Sequence, residues 1–187
     1  ALCLRLQNQG WTAAIWILGV LSGLSHMIQA QQADYYRNIH LFFIKGKTGS
    51  EQDNSEDLNK ELSKLSWAKN FGQKLLLSFY RNYTKQQELL SPQLQKLMKL
   101  IKSRFPNELP DWLATEFREK NKPLMKYTNI VQFNTRAIWL FFWLVGNKLY
   151  WYFLFKLSVL NGIMLYMIMQ QEKQSKYFYN KLQAQKN

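Results

Sequence analysis

Asn129-Ile-Val-Gln-Phe-Asn-Thr-Arg136, then Ala137-Ile-Trp-Leu-Phe-Phe-Trp-Leu-Val145, a break at Gly146-Asn147-Lys148, and an apolar run from Leu149 to Met169 decide the reading of this chain. At a rise of about 1.5 Å per residue, each arm crosses a hydrocarbon layer of about 30 Å with little to spare. The second arm carries one charge, Lys156, in 21 residues. Tyr150, Trp151 and Tyr152 crowd the junction, and amphipathic rings favour the headgroup level. The pattern predicts a transmembrane helical hairpin over 129–170. The competing reading, a buried helical pair in a water-soluble domain, fits poorly with two helices of this apolarity in so basic a chain.

Outward from the hairpin, the 187 residues carry a net charge of +13, although their apolar residues are gathered in three blocks. Such a charge suits nucleic acid or an anionic membrane face, and the apolar blocks favour the membrane over nucleic acid. The single Cys3 excludes an intramolecular disulfide framework and a cysteine metal cage. The first residue is Ala rather than Met, which is read as an internal start.

Residues 1–29 hold the first span. Trp11 to Gln29 contain no Lys, Arg, Asp or Glu, and Gly19 with Gly23 form a small-xxx-small pair that lets another helix approach. A cleaved signal peptide is the rival reading. Against it stand the lone Arg5, the bulky Ile28 near the expected cleavage point and the missing start Met. Ser22, Ser25, His26, Gln29, Gln32 and Tyr36 recur at spacings of three and four, giving a helix that continues past Gln29 a polar stripe. In a membrane such a stripe faces a bundle interior or a wet cavity.

Residues 30–128 form a polar insert with 17 Lys or Arg and 11 Asp or Glu. Gly46 to Asn54 reads as a loop, and Asp53 with Glu56 resembles a capping box for a helix to about Leu65. Ser66 is placed to cap a second helix with an apolar stripe of Leu75, Leu76, Phe79, Tyr80 and Tyr83. Pro92 opens a third, in which Leu94, Leu97, Met98, Ile101 and Phe105 repeat with helical period before Pro106. Asp111 opens a fourth, expected to stop at Pro123. The insert is thus expected to be a helical module lying on the membrane. The basic tail, 171–187, is expected to rest at the interface through Tyr177, Phe178 and Tyr179. Insert and tail together hold 21 Lys or Arg, against Arg5 and Lys148 on the other side, so both are assigned to the cytoplasm.

On a helix running through the start of the second span, Lys126, Asn129, Gln132, Phe133 and Arg136 share a face. Arg136 falls about two turns inside the polar boundary, where an unpaired charge is expensive. It either snorkels or meets a structural acceptor, or it binds a phosphate entering from the cytoplasmic side. With His26, Gln29 and Arg37 at the corresponding level of the first span, it lines a basic pocket suited to a phosphorylated ligand. Lys156 is assigned to the opposite face, free to snorkel, and is left out of this pocket. No nucleophile elbow, P-loop, HExxH or zinc spacing is present.

Asp34-Tyr-Tyr-Arg-Asn-Ile-His-Leu-Phe-Phe-Ile-Lys-Gly-Lys-Thr-Gly-Ser-Glu51, Pro123-Leu-Met-Lys-Tyr-Thr-Asn-Ile130 and Phe133-Asn-Thr-Arg136 resemble the later part of bacterial CDP-alcohol phosphatidyltransferases. The resemblance implies an all-α integral membrane bundle of six transmembrane helices, of which this chain holds the last three with the insert between the fourth and fifth. It implies transfer of a phosphatidyl-type group from a CDP-linked lipid to an alcohol acceptor with release of CMP, in a bacterial inner membrane, in a family whose members commonly pair as homodimers. It also implies Mg²⁺ or Mn²⁺ held by the family signature Asp-x2-Asp-Gly-x2-Ala-Arg-x8-Gly-x3-Asp-x3-Asp. That signature is absent here and is expected upstream of Ala1, so this chain alone is expected to be inactive. Gly49, Asp53 and Asp57 echo only its final spacing, with Gln32, Tyr35 and Tyr36 where the upstream Asp, Asp and Gly belong. The family's later helices supply basic acceptor-binding residues, a role that falls here on Arg136, then Lys126 and Arg37, then His26. The alternative is a non-catalytic membrane module, a scaffold or transporter part, with a lipid-docking insert.

Overall fold

The computed structural model describes residues 2–46 and 54–185. Among these, the regular structure is helical and no strand occurs, as the sequence predicts. The order is α1 (Leu2–Asn8), α2 (Ala14–Lys45), α3 (Ser55–Lys64), α4 (Phe71–Leu90), α5 (Pro92–Arg104), α6 (Asp111–Ile130), α7 (Phe133–Val145) and α8 (Leu149–Phe155). A π-helical turn (Lys156–Leu160) then leads into α9 (Asn161–Ala184). The chain forms two compact units: residues 1–36 with 122–170, and residues 37–121 with 171–187.

In the first unit, parts of α2 and α7 bury polar side chains and expose apolar ones. On α2, Ser22, Ser25, Gln29 and Gln32 are buried, while Ile17, Val20, Leu24 and Met27 are exposed. On α7, Arg136 is the buried residue, while Ile138, Phe141, Phe142 and Val145 face outward. In water this arrangement forfeits apolar burial at roughly 25 cal/mol per Å² and still desolvates the polar groups; in hydrocarbon both terms change sign. Among the described residues one helical stretch, Leu149–Ala184, whose residues from 171 on belong to the second unit, is long and apolar enough to cross a membrane. With 13 residues, α7 is about 20 Å long, short of a hydrocarbon layer of about 30 Å.

The far end of this unit is closed by a small apolar cluster of Leu6, Ile15, Leu149, Tyr152 and Phe153. The α7–α8 turn places Asn147 at φ 53°, a left-handed conformation that Asn tolerates better than most residues. Its Oδ1 accepts from Gln9 Nε2 at 2.7 Å and from Arg5 at 3.3 Å. A Cβ on Gly19 would lie 2.5 Å from Cys3 Sγ, so the glycine admits the N-terminal segment; at Gly23 the space is open.

The second unit has a conventional core. The α5 stripe of Leu94, Leu97, Met98 and Ile101 is fully or nearly buried, and Pro92 stands at the helix start. Phe117 stacks on Phe43 at 3.6 Å between centroids and meets Phe178 at 5.2 Å. Four expectations need correction here. First, α6 runs through Pro123 to Ile130: the proline removes one backbone donor, and burial of Phe117 and Leu124 on either side holds the helix together. Second, α4 begins at Phe71 after Asn70, not at a Ser66 cap. Third, α3 is capped by Asn54, whose side chain accepts from Asp57 N at 2.7 Å; Asp53 and Gly49 lie outside the described residues. Fourth, Phe178 is a core residue rather than an interfacial anchor, and Tyr177 donates to Glu116. Residues 171–184 continue α9 and pack within this unit, where the Glu172 carboxylate accepts from the free N–H groups of Gln93 and Leu94 at the start of α5.

Candidate functional site

Three segments of the first unit converge on Gln29. The helix period aims the polar stripe of α2 inward, and Gln29, fully buried, is its hub. Its Oε1 accepts from Arg136 Nη2 at 3.1 Å, and its Nε2 donates toward Asn161 Oδ1 at 2.7 Å and the Lys156 carbonyl at 3.1 Å. That carbonyl belongs to the π-helical turn, whose altered ladder leaves backbone groups to be satisfied from outside the helix. Ser25 Oγ also donates to Asn161 Oδ1 at 2.7 Å. His26 Nε2 lies 3.4 Å from Arg136 Nη1.

Two cations are buried in this network. Arg136 is 3% exposed and Lys156 7%, and Lys156 lies close enough to Arg136 for the two charges to interact. The Lys156 ammonium stands 5.4 Å from the centroid of the Tyr152 ring. Among the described residues neither cation has a carboxylate within ion-pair distance, and Arg136 Nε makes no hydrogen bond. The unit's sequence explains why: Asp34, which is exposed, is its one acidic residue, against Arg5, Lys122, Lys126, Arg136, Lys148 and Lys156. A buried cation is normally paired, and a second one beside it raises the cost. Ser22 Oγ and both polar atoms of Gln32 are likewise buried without a partner. Among the described residues, the interior of this unit therefore holds buried positive charge and buried polar groups without partners.

Of the residues singled out from the sequence, Arg136 and His26 come together. Lys126 is exposed on α6, and the extended backbone at Gln132 (ψ 178°) separates that helix from α7, so the single helical face drawn through Lys126 and Arg136 does not exist. Arg37 is exposed and belongs to the second unit. Lys156, assigned to snorkel on the opposite face, is instead buried. It continues the buried face of α8, seven, four and three residues after Leu149, Tyr152 and Phe153, so an ordinary helical count already turns it inward. Gln29 and Asn161 carried a readable signal as uncharged polar residues inside apolar runs.

Among the described residues no group of three His, Cys, Asp or Glu is placed to hold a metal ion. The residues present therefore do not fit the divalent cation that the family resemblance calls for. No protein-family model, no curated protein and no solved structure matches the chain.

Proposed function

We propose that the chain is the acceptor-binding portion of a multi-pass membrane enzyme of the CDP-alcohol phosphatidyltransferase type, in which the buried polar interior of the first unit receives the phosphate-bearing head of the acceptor. The observation that carries this reading is the pair of buried cations, Arg136 and Lys156, with no carboxylate beside them among the described residues. Arg136 supplies a planar fork for phosphate oxygens, Lys156 a second positive charge, and Gln29 fixes the guanidinium through its Oε1. His26 adds a ring nitrogen at the same level. These roles concern binding and orientation, and no step of phosphoryl transfer is assigned to residues of this chain. The outward-facing apolar side chains of α2 and α7 support several membrane crossings, and the lysine-rich 30–128 and 171–187 support placing both segments on the bacterial cytoplasmic side. The test is CMP release by the complete reading frame from a labelled CDP-lipid with a panel of phosphorylated and unphosphorylated alcohols. The reading requires a phosphorylated acceptor and loss of its binding in Arg136→Ala. Absence of CMP release with every acceptor overturns it.

A further inference from the structure

The second unit exposes an apolar surface that its own core does not use. Of the side chains of α4, the buried ones are Thr84 and Gln87, both polar. Many of its apolar side chains face outward: Phe71 is 62% exposed, Leu76 71% and Phe79 66%, with Leu75 and Tyr80 beside them and Trp67 just before the helix at 51%, while Leu77, Tyr83 and Leu90 are partly buried. At 100° per residue, positions 71, 75, 76, 79 and 80 cover about half of the helix circumference, too broad and too aromatic for scattered surface residues. The segment entering α4 is held in place: Lys74 Nζ donates to the Leu65 carbonyl at 2.6 Å and stands over the Trp67 ring at 5.1 Å.

The charge around this surface is mostly positive, with Glu61 beside Leu76 and Tyr80 as an acidic exception. Residues 62–87 contain Lys64, Lys69, Lys74, Arg81 and Lys85 and no Asp or Glu. Lys74, Arg81 and Lys85, at spacings of seven and four, follow one edge of the apolar arc. Aromatic and aliphatic side chains on one side of a helix, edged by cations, make the composition of an interfacial helix that sinks its apolar face to the headgroup and acyl boundary of an anionic bilayer. A protein groove would bury the apolar arc equally well but gives less reason for the excess of cations, five over residues 61–87 against one carboxylate. The same chain carries a stretch long and apolar enough to cross a membrane, Leu149–Ala184, and a crossing there would raise the effective concentration of this surface at a bilayer.

We infer that the connection before α4 and the outer face of α4 form a membrane-docking surface for anionic lipid, with Phe71, Leu76 and Phe79 inserted at the headgroup boundary and Lys64, Lys69 and Lys85 beside the lipid phosphates. This surface rests on the chain residing in a membrane and is independent of any catalytic role.

The test places a spin label at Leu76→Cys in a Cys3→Ser background of the full chain, reconstituted in liposomes containing phosphatidylglycerol or phosphatidylcholine alone. Labels at Leu24→Cys and Asn82→Cys serve as references, since all three side chains are exposed and their replacement leaves the core intact. In anionic liposomes the label at Leu76 is expected to be accessible to oxygen and shielded from a water-soluble nickel relaxant, with Asn82 the reverse. Each lysine near the surface contributes about fivefold to partitioning, so Lys64→Gln/Lys69→Gln/Lys85→Gln, or replacement of the anionic lipid, shifts the Leu76 label toward water. A Leu76 label in water while Leu24 is in lipid overturns the docking surface alone. Both labels in water overturn the membrane reading with it. A Leu76 label shielded from both relaxants indicates a second copy or another protein on this face and also refutes the inference.

Discussion

Arg136→Met separates a residue kept for binding from one kept for stability. The guanidinium is 3% exposed, is hydrogen-bonded to Gln29 at 3.1 Å and has no carboxylate partner among the described residues. Removing the bond to a charged group costs about 1.5–3 kcal/mol. Removing an unpaired cation from an apolar bundle returns about 2.5–3.5 kcal/mol, the cost of inserting such a charge at the centre of a membrane helix. The two nearly cancel. The ligand-free protein in detergent should therefore change apparent Tm by no more than about 4 °C, as expected for a net effect near 1 kcal/mol. Affinity for a phosphorylated alcohol behaves differently, because a charge-assisted bond to phosphate worth about 1.5–3 kcal/mol corresponds to a loss of about 10- to 100-fold. The assay is equilibrium binding of glycerol phosphate and inositol phosphate, with glycerol and inositol as controls, to wild type and variant, beside thermal unfolding of both. A Tm drop above about 10 °C with unchanged affinity would refute the reasoning and make Arg136 a structural residue.

Lys156→Met should weaken phosphate-ligand binding about tenfold while Lys156→Arg retains most of it, checked by the same titration; equal weakening by both would mean that shape rather than charge matters there. Gly19→Ala drives a methyl against Cys3 Sγ and should destabilise the first unit by about 1–3 kcal/mol, with Cys3→Ala in the same chain restoring most of the loss by thermal unfolding. Phe117→Ala, which removes the ring stacked on Phe43, should cost about 3–5 kcal/mol in the second unit, read by proteolysis of that unit under native conditions. Burial, then the nearby Arg118 charge, holds the His40 imidazole below its ordinary value of 6.5. A lowered folded-state pKa means that this contribution is complete above the unfolded value and is lost as pH falls through about 6.5 toward the folded one. Acidification from about pH 7.5 to 5.5 should therefore destabilise wild type more than His40→Gln, and equal losses would remove His40 from the account.

What the sequence exposes and what it hides follow from the periodicity of an uninterrupted helix. The α5 stripe from Leu94 to Ile101 and the break at Gly146-Asn147-Lys148 were legible because proline, glycine and a 3.6-residue repeat report local structure directly. Arg136 and His26 were legible as polar residues in apolar surroundings. Lys156 was misassigned by its charge, although it follows the buried Leu149, Tyr152 and Phe153 at spacings of seven, four and three. Pro123 misled in the other direction, since packing on both sides carries α6 across it. Residues 171–184 read as a charged tail, yet Gln171, Ser175, Phe178 and Leu182 recur at helical spacing and are fully buried. The apolar stripe of α4 was visible, but periodicity cannot say whether such a face meets a core or a bilayer.

Extraction of the full-length protein from its native membranes tests the account most directly. Exposed Ile17, Val20, Leu24, Phe141 and Phe142 around a polar interior predict that the protein stays in the pellet through high salt and alkaline carbonate and is released by detergent. Release by carbonate would mean that water tolerates this outer surface, and both the lipid-embedded bundle and the anion site within it would be contradicted.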